Sequence, residues 1–328
     1  MVIDNYNEIK KKFEQFAISL KTKSTKQFNQ IFDKNLICYI SIVKDYTDGD
    51  QHSLFGIKNF VENMPDCDHF NEKVYNYVCK IGNHEAQQFS EIVCVAFRVD
   101  QDVVKSFEFT ILVVSHWIKK EGWLIDELRM EIEKNNGNFE EFANQWYFED
   151  THKKWSPGFH LPCISGELDS PWRKIKEPIN TQLNTEDQIR ETFAKYAFAI
   201  DFLSFDHMND VTSNKLVCLM APWGAMTKRK WMGYLKNYRQ ADRLWVHPAK
   251  LGKATISGNT AHVTFYRMAG HNQRTYPYIW TKKNWDIEHA CARYDMQLIR
   301  VNEKWKISQC KYYLGIIELG DYSTDLFN

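Results

Sequence analysis

One apolar pattern occurs twice in this chain: Ile9, Phe13, Phe16, Ala17 and Leu20 recur as Ile189, Phe193, Tyr196, Ala197 and Ile200, each displaced by 180 positions. In a chain of 328 residues, a repeat at that distance points to two domains of ordinary size, each able to bury its own core. It also supplies an internal control. Polar residues that both copies carry serve the scaffold, and those carried by one copy alone are candidates for function.

In the first copy, residues 6–20 place apolar side chains at i, i+4, i+7, i+8 and i+11, one face of an amphipathic helix. The second copy begins alike, with Thr185 as the predicted N-cap and Glu186 and Asp187 in the first turn. Residues 36–42 then read as a buried strand matched by residues 216–220, with Cys38 and Cys218 keeping the same offset. Register slips at the polar loop 45–53 and the short helix 56–64, whose counterpart is 227–238. Strand-like segments follow at 73–81, 91–99 and 105–118, and at 244–256, 260–268 and 293–301, and each copy closes on a Trp-led strand, at Trp123 and Trp305. This order predicts an α+β fold of two tandem cone-shaped domains, each a curved antiparallel sheet with helices on one face and a pocket at its mouth. The expected boundaries are 1–132 and 185–328. The connector 133–184 carries Trp146, Tyr147, Phe148, Trp155, Phe159 and Trp172, too many aromatic residues for a flexible linker, so it is expected to be an ordered strap.

Lys plus Arg equals Asp plus Glu at 42 each, and no basic stripe is present, which argues against nucleic acid or an anionic membrane as partner. No apolar run is long enough to span a bilayer and the first twelve residues are charged, so the expected compartment is cytoplasmic. The eight cysteines form no Cys-x-x-Cys pair and read as buried thiols rather than zinc ligands. No Gly-x-Ser-x-Gly elbow, phosphate-binding or dinucleotide glycine loop, or His-Glu-x-x-His is present.

Arg293-Tyr294, then Leu298-Ile-Arg300, then Glu303-Lys-Trp305-Lys-Ile307 resembles the closing hairpin of SnoaL-like domains, which belong to the nuclear transport factor 2-like superfamily. His247, followed eleven residues later by Gly258-Asn-Thr-Ala261, is similar to that family's strand that opens with His and turns at Gly-Asp-x-Ala. The resemblance covers residues 185–315; residues 5–132 match in outline, through the leading helix, the first strand and Gly122-Trp123-x-Ile125. Met296 stands where the family often has Asp, and Cys310 where it has a later Arg. The resemblance implies dehydratase, isomerase or cyclase chemistry on small hydrophobic, ring-bearing molecules, with no metal or organic cofactor, by a His paired with Asp or Tyr in an apolar cone.

Such chemistry needs a base with a pKa near neutrality and a donor for a developing oxyanion. Asp201 replaces Lys21 of the first copy and His247 replaces Asn71, so the second copy is the expected site and the first a degenerate partner. Asp201 and His247 are the candidate catalytic pair, with Tyr196 and Tyr294 as candidate donors; the same residue types also occur as caps and core groups. Met220, Trp223, Trp231, Trp245, Tyr266 and Met296 are the candidate substrate contacts. Residues 270–292, longer than in the first copy, read as a lid or an interface cover, the lid being favoured. Two further classes fit: a non-catalytic binding or structural protein, and the small subunit of a ring-hydroxylating dioxygenase, which requires a large separate partner. Because domains of this superfamily pair through their sheets, the two copies are expected to form an intrachain pseudo-dimer, monomeric in solution.

Overall fold

The computed structural model describes residues 2–43, 49–101, 103–148, 163–179, 183–220, 224–238, 245–270, 278–322 and 325–327. The first unit runs α1 (Val2–Thr22), α2 (Phe28–Ile31), β1 (Phe32–Ile40), α3 (Leu54–Glu62), β2 (His69–Ile81), β3 (Glu85–Asp100), β4 (Val103–Lys119) and β5 (Trp123–Gly137). Two short helices follow, α4 (Phe139–Phe142) and α5 (Pro171–Lys174). The second unit runs α6 (Thr185–Asp201), α7 (Phe205–Val211), β6 (Thr212–Met220), β7 (Gly224–Thr227), α8 (Lys228–Tyr238), β8 (Ala249–Ser257), β9 (Thr260–Arg267), β10 (Ile287–Val301) and β11 (Lys304–Asp321). The repeated apolar faces of α1 and α6 are buried, one in each of two separate cores.

Strand order is β1-β5-β4-β3-β2 in the first sheet and β7-β6-β11-β10-β9-β8 in the second. The orders correspond, apart from the added β7. Both sheets are mixed rather than purely antiparallel as expected, because β1 runs parallel to β5 and β6 parallel to β11. In each case the strand follows a pair of helices, which carry the chain across the sheet and deliver it in the direction of the last strand. Both sheets stay open; neither closes into a barrel. The last strand of the first unit reaches Gly137, beyond the expected boundary at 132. Asn184, not Thr185, caps α6: its backbone is extended and its side chain accepts from the Asp187 N–H at 2.9 Å.

The units dock through the outer face of the first sheet. Along β3, Ile92, Cys94 and Ala96 enter the first core, so by strand alternation Phe89, Val93, Val95 and Phe97 face outward. Phe89, with Leu112 and Val114 of β4, meets Ile164, Phe198 and Val246; Val93 meets Met268, Ala269 and Ala290; Val95 and Phe97 meet Tyr278 and Trp280. The described part of the 270–292 segment therefore covers the docking surface rather than the mouth of a cone, a correction to the favoured lid; residues 271–277 lie outside the described residues. The chain also returns at its end, where Val74 N–H donates to the Leu326 carbonyl at 2.9 Å.

Within the connector, Trp146 packs into the first core and Trp172 against Phe89 and Phe198, whereas Trp155 and Phe159 lie outside the described residues. A polar clamp fastens it to α7: Ser170 Oγ lies 2.8 Å from His207 Nε2, and Ser204 Oγ and Glu167 Oε1 lie 2.6 and 3.1 Å from Nδ1. Burial, reinforced by Lys195, pushes the His207 pKa down to about 4. The folded chain thus keeps His207 neutral while the unfolded chain protonates it below its ordinary value of 6.5. Its contribution to stability is present above that pH and is lost as pH falls through about 4. His207→Gln is expected to flatten this acid limb in melting temperatures recorded against pH; an unchanged slope would exclude His207 as its source. Among the described residues, no helix is long and apolar enough to cross a membrane.

Candidate functional site

Alternation along the chain decides which side chains face the second cone. Trp245 and Ala249 belong to the second core, while Val246 between them packs at the docking surface. His247 lies on the side of Trp245, their ring centroids 6.2 Å apart. Asp201 is the last residue of α6, one turn beyond Ala197 of the cone-facing stripe. Both are buried, at 1% exposure for Asp201 and 3% for His247. The structure joins them directly: His247 Nδ1 is hydrogen-bonded to Asp201 Oδ1, and the His247 backbone N–H donates to Asp201 Oδ2 at 3.1 Å. With Asp201 ionised its oxygen only accepts, an arrangement that places the imidazole proton on Nδ1.

Tyr196 and Tyr294 are buried in the same core, with ring centroids 6.1 Å apart. Burial raises both phenol pKa values well above the ordinary range, so both hydroxyls keep their protons and remain donors. Trp231 of α8 stacks on Tyr196 at 5.9 Å with 2° between the planes, and its Nε1 is a buried donor without a hydrogen-bond partner among the described residues. Met296 and Trp245 line the same core and Met220 packs at its edge; Trp223 lies outside the described residues. Tyr266 requires correction. On β9 it is Phe265 that enters the core, so Tyr266 projects from the opposite face, packed near Met268 and Ala290 and over Gly252, where an added Cβ would lie 2.3 Å from its ring.

The first copy builds something else at the corresponding positions. Lys21 pairs with Glu72 at 3.8 Å, and Asn71 donates to the Trp285 carbonyl at 2.9 Å. A groove of about 270 Å³ opens beside Lys21 and Asn71, and another of about 730 Å³ lies between the connector and the second unit, bordered by Trp172, Lys195 and Trp305. Neither is lined by the Asp201–His247 pair. Among the described residues, no group of three or more His, Cys, Asp and Glu is placed to hold a metal ion.

Sequence reasoning missed the contribution of the first copy. Glu91 of β3 is fully buried, accepts from the His247 N–H at 3.2 Å and is hydrogen-bonded to Asp201 and to Asn76 Nδ2. Asn76 also donates to the His247 carbonyl at 2.8 Å. Burial pushes the Glu91 pKa up to about 7 against the lowering effect of these hydrogen bonds and of the Arg267 guanidinium. Arg267 is itself buried, Nε donating to the Val246 carbonyl at 2.9 Å and Nη1 to the Tyr312 hydroxyl at 3.1 Å. The available signal was the row Phe89, Glu91, Val93, Val95, Phe97: one carboxyl in an apolar strip must find a partner or a proton.

A model of the SnoaL-like domain family matches residues 181–311. No curated protein matches the chain. Among solved structures, the Kfla4162 protein of Kribbella flavida is similar at 11% identity and a TM-score of 0.35, over 42% of this chain and 96% of that one. The hexachlorocyclohexane dehydrochlorinase LinA-type3 of Novosphingobium barchaimii is 13% identical, with a TM-score of 0.32 over 42% of this chain and 90% of that one. An NTF2-like protein of Cytophaga hutchinsonii is 13% identical, with a TM-score of 0.29 over 40% of this chain and all of that one. The matched residues 181–311 hold α6 with Asp201, the segment with His247 and most of the second sheet, and this part of the chain is similar to the SnoaL-like domain family.

Proposed function

We propose that the second unit is a cofactor-independent lyase or isomerase, dehydratase- or cyclase-like, acting on a small hydrophobic, ring-bearing molecule. The observation that carries this reading is the Asp201–His247 pair, buried beside an aromatic core with Nδ1 tied to a carboxylate. Nε2 then acts as the base that removes a proton beside a carbonyl or opposite a leaving group, and Asp201 orients the ring and stabilises the imidazolium that forms. Tyr294 and Tyr196 remain protonated and supply donors for the developing oxyanion. The Trp231 N–H is a further donor for a bound oxygen. Compounds that copurify with the chain, identified by native mass spectrometry, supply the substrate panel. His247→Gln is expected to lower turnover of the true substrate by about 10²–10⁴-fold. Unchanged turnover would remove His247 from the chemistry.

One observation favours a second reading, a binding or structural protein without turnover. Tyr196, Trp231, Tyr294 and Met296 pack on one another inside the cone, filling space that a substrate would occupy. In that case copurified compounds are recovered unchanged and His247→Gln alters affinity alone.

A further inference from the structure

Strand β11 outruns the strand that pairs with its outer edge. β6 accompanies it only as far as Met220 opposite Tyr312, whereas β11 continues to Asp321 with β10 alone beside it. The overhang reads Tyr313-Leu-Gly-Ile-Ile-Glu-Leu-Gly320, with Glu318 as its one charged side chain. Tyr313, Leu314 and Ile316 are exposed, at 45%, 47% and 36%. A Cβ added at Gly315 or Gly320 would meet no described atom within 4 Å. Among the described residues no strand pairs with this edge, and a free apolar edge is a template for another strand.

The first copy shows how such an edge is protected. There β5 likewise outruns β1, whose pairing ends at Ile40 opposite Met130. Its overhang is covered: the Ile132 N–H donates to Ser41 Oγ at 2.9 Å, and Glu131 accepts from the Cys163 N–H of the connector. It also carries Glu133 and Lys134, whose counterparts, aligned on the Trp that leads each strand, are Gly315 and Ile316. Charges on an edge oppose pairing with another chain, and the second copy has neither.

We propose that residues 313–320 of β11 are the contact through which two copies of this chain associate, edge to edge and antiparallel, joining their second sheets into one. A second copy is the occupant because the edge continues an interface already described and because it fits itself. Ala290 and Ala292 lie on one face of β10, so their partners Ile317 and Leu314 share a face of β11. Ile317 packs at the docking surface with Met268 and Ala290, while Leu314 is open, and an added strand covers Leu314 and extends that apolar surface. A twofold axis through Gly315 or Ile316 sets Glu318 opposite Tyr312 or Leu314 of the other copy rather than opposite the second Glu318. Acidic and basic residues, at 42 each, leave no net repulsion between copies. Pairing of the two units within the chain therefore does not use up its association surfaces.

The test is sedimentation equilibrium of the full chain from about 1 to 100 μM, with amide hydrogen exchange recorded at both ends of that range. A dimer is expected to form across the range, and the amides of residues 313–320 are expected to exchange about tenfold more slowly at the high concentration. Leu314→Lys combined with Ile316→Lys places charge on the edge at two positions outside the buried cores, and is expected to give a monomer throughout. A wild-type chain that stays monomeric at every concentration overturns the proposal. So does a dimer that survives the double substitution, because another surface then holds it. Slow exchange at residues 313–320 that does not change with concentration also overturns it, since something other than a second copy then covers the edge. The exchange comparison uses the wild-type chain and decides the matter even if the variant does not fold.

Discussion

Asp201→Ala is expected to lower the free energy of unfolding by about 3–5 kcal/mol. The substitution strips the carboxylate from the His247 Nδ1–H in a region closed to water, while the His247 backbone N–H keeps Glu91 as its acceptor. Each buried donor left unmade costs about 1–3 kcal/mol. Glu91 also loses its hydrogen bond with Asp201. Asp201→Asn preserves volume but not the pattern of acceptance. Asp201 uses two oxygens to receive two N–H groups, whereas an amide offers one oxygen and turns its own N–H toward the other donor. Urea unfolding followed by tryptophan fluorescence measures both variants. A loss below about 1 kcal/mol for Asp201→Ala would place the pair among weakly coupled contacts.

Trp231→Ala carries an expected loss of similar size, about 3–5 kcal/mol, through the cavity left by a fully buried indole stacked on Tyr196. The same variant opens apolar space inside the second cone, which a fluorescent hydrophobic dye would report. Trp231→Phe separates packing from recognition. It keeps an aromatic ring and removes an N–H with no partner among the described residues, so stability is expected to change by less than about 1.5 kcal/mol. If that N–H serves a ligand, affinity falls in the Phe variant while the melting temperature holds. Parallel losses in both would assign Trp231 to the scaffold alone.

The parts of the fold legible in the sequence are those set by local periodicity. The stripes Ile9 to Leu20 and Ile189 to Ile200 bury the faces their spacing requires, and the strands that pair into each sheet begin and end near their turn signals. Asp201 and His247 were legible because the two copies differ there while the surrounding pattern persists. What escaped depends on relations between distant segments. The faces of Phe265 and Tyr266 are fixed by the pairing of β9 with β8 and β10, a register that single-strand alternation does not reveal. Tyr278 and Trp280 cover Val95 and Phe97, a requirement set by a sheet face some 180 residues earlier in the chain. Glu91 was passed over for the same reason: its partner Asp201 becomes a neighbour only once the two units dock.

Docking within one polypeptide has a consequence for how such a site diverges. In an assembly of two identical chains, each substitution appears on both sides of the contact, and the surface must continue to fit itself. Here the outer face of the first sheet and the surface it meets are encoded separately, so Glu91 on one side and Asp201 on the other are free to change independently. The tether also holds one surface at an effective concentration on the order of millimolar beside the other, at any dilution of the protein. Fusion thereby frees each copy to change its own side of the contact without a matching change in the other.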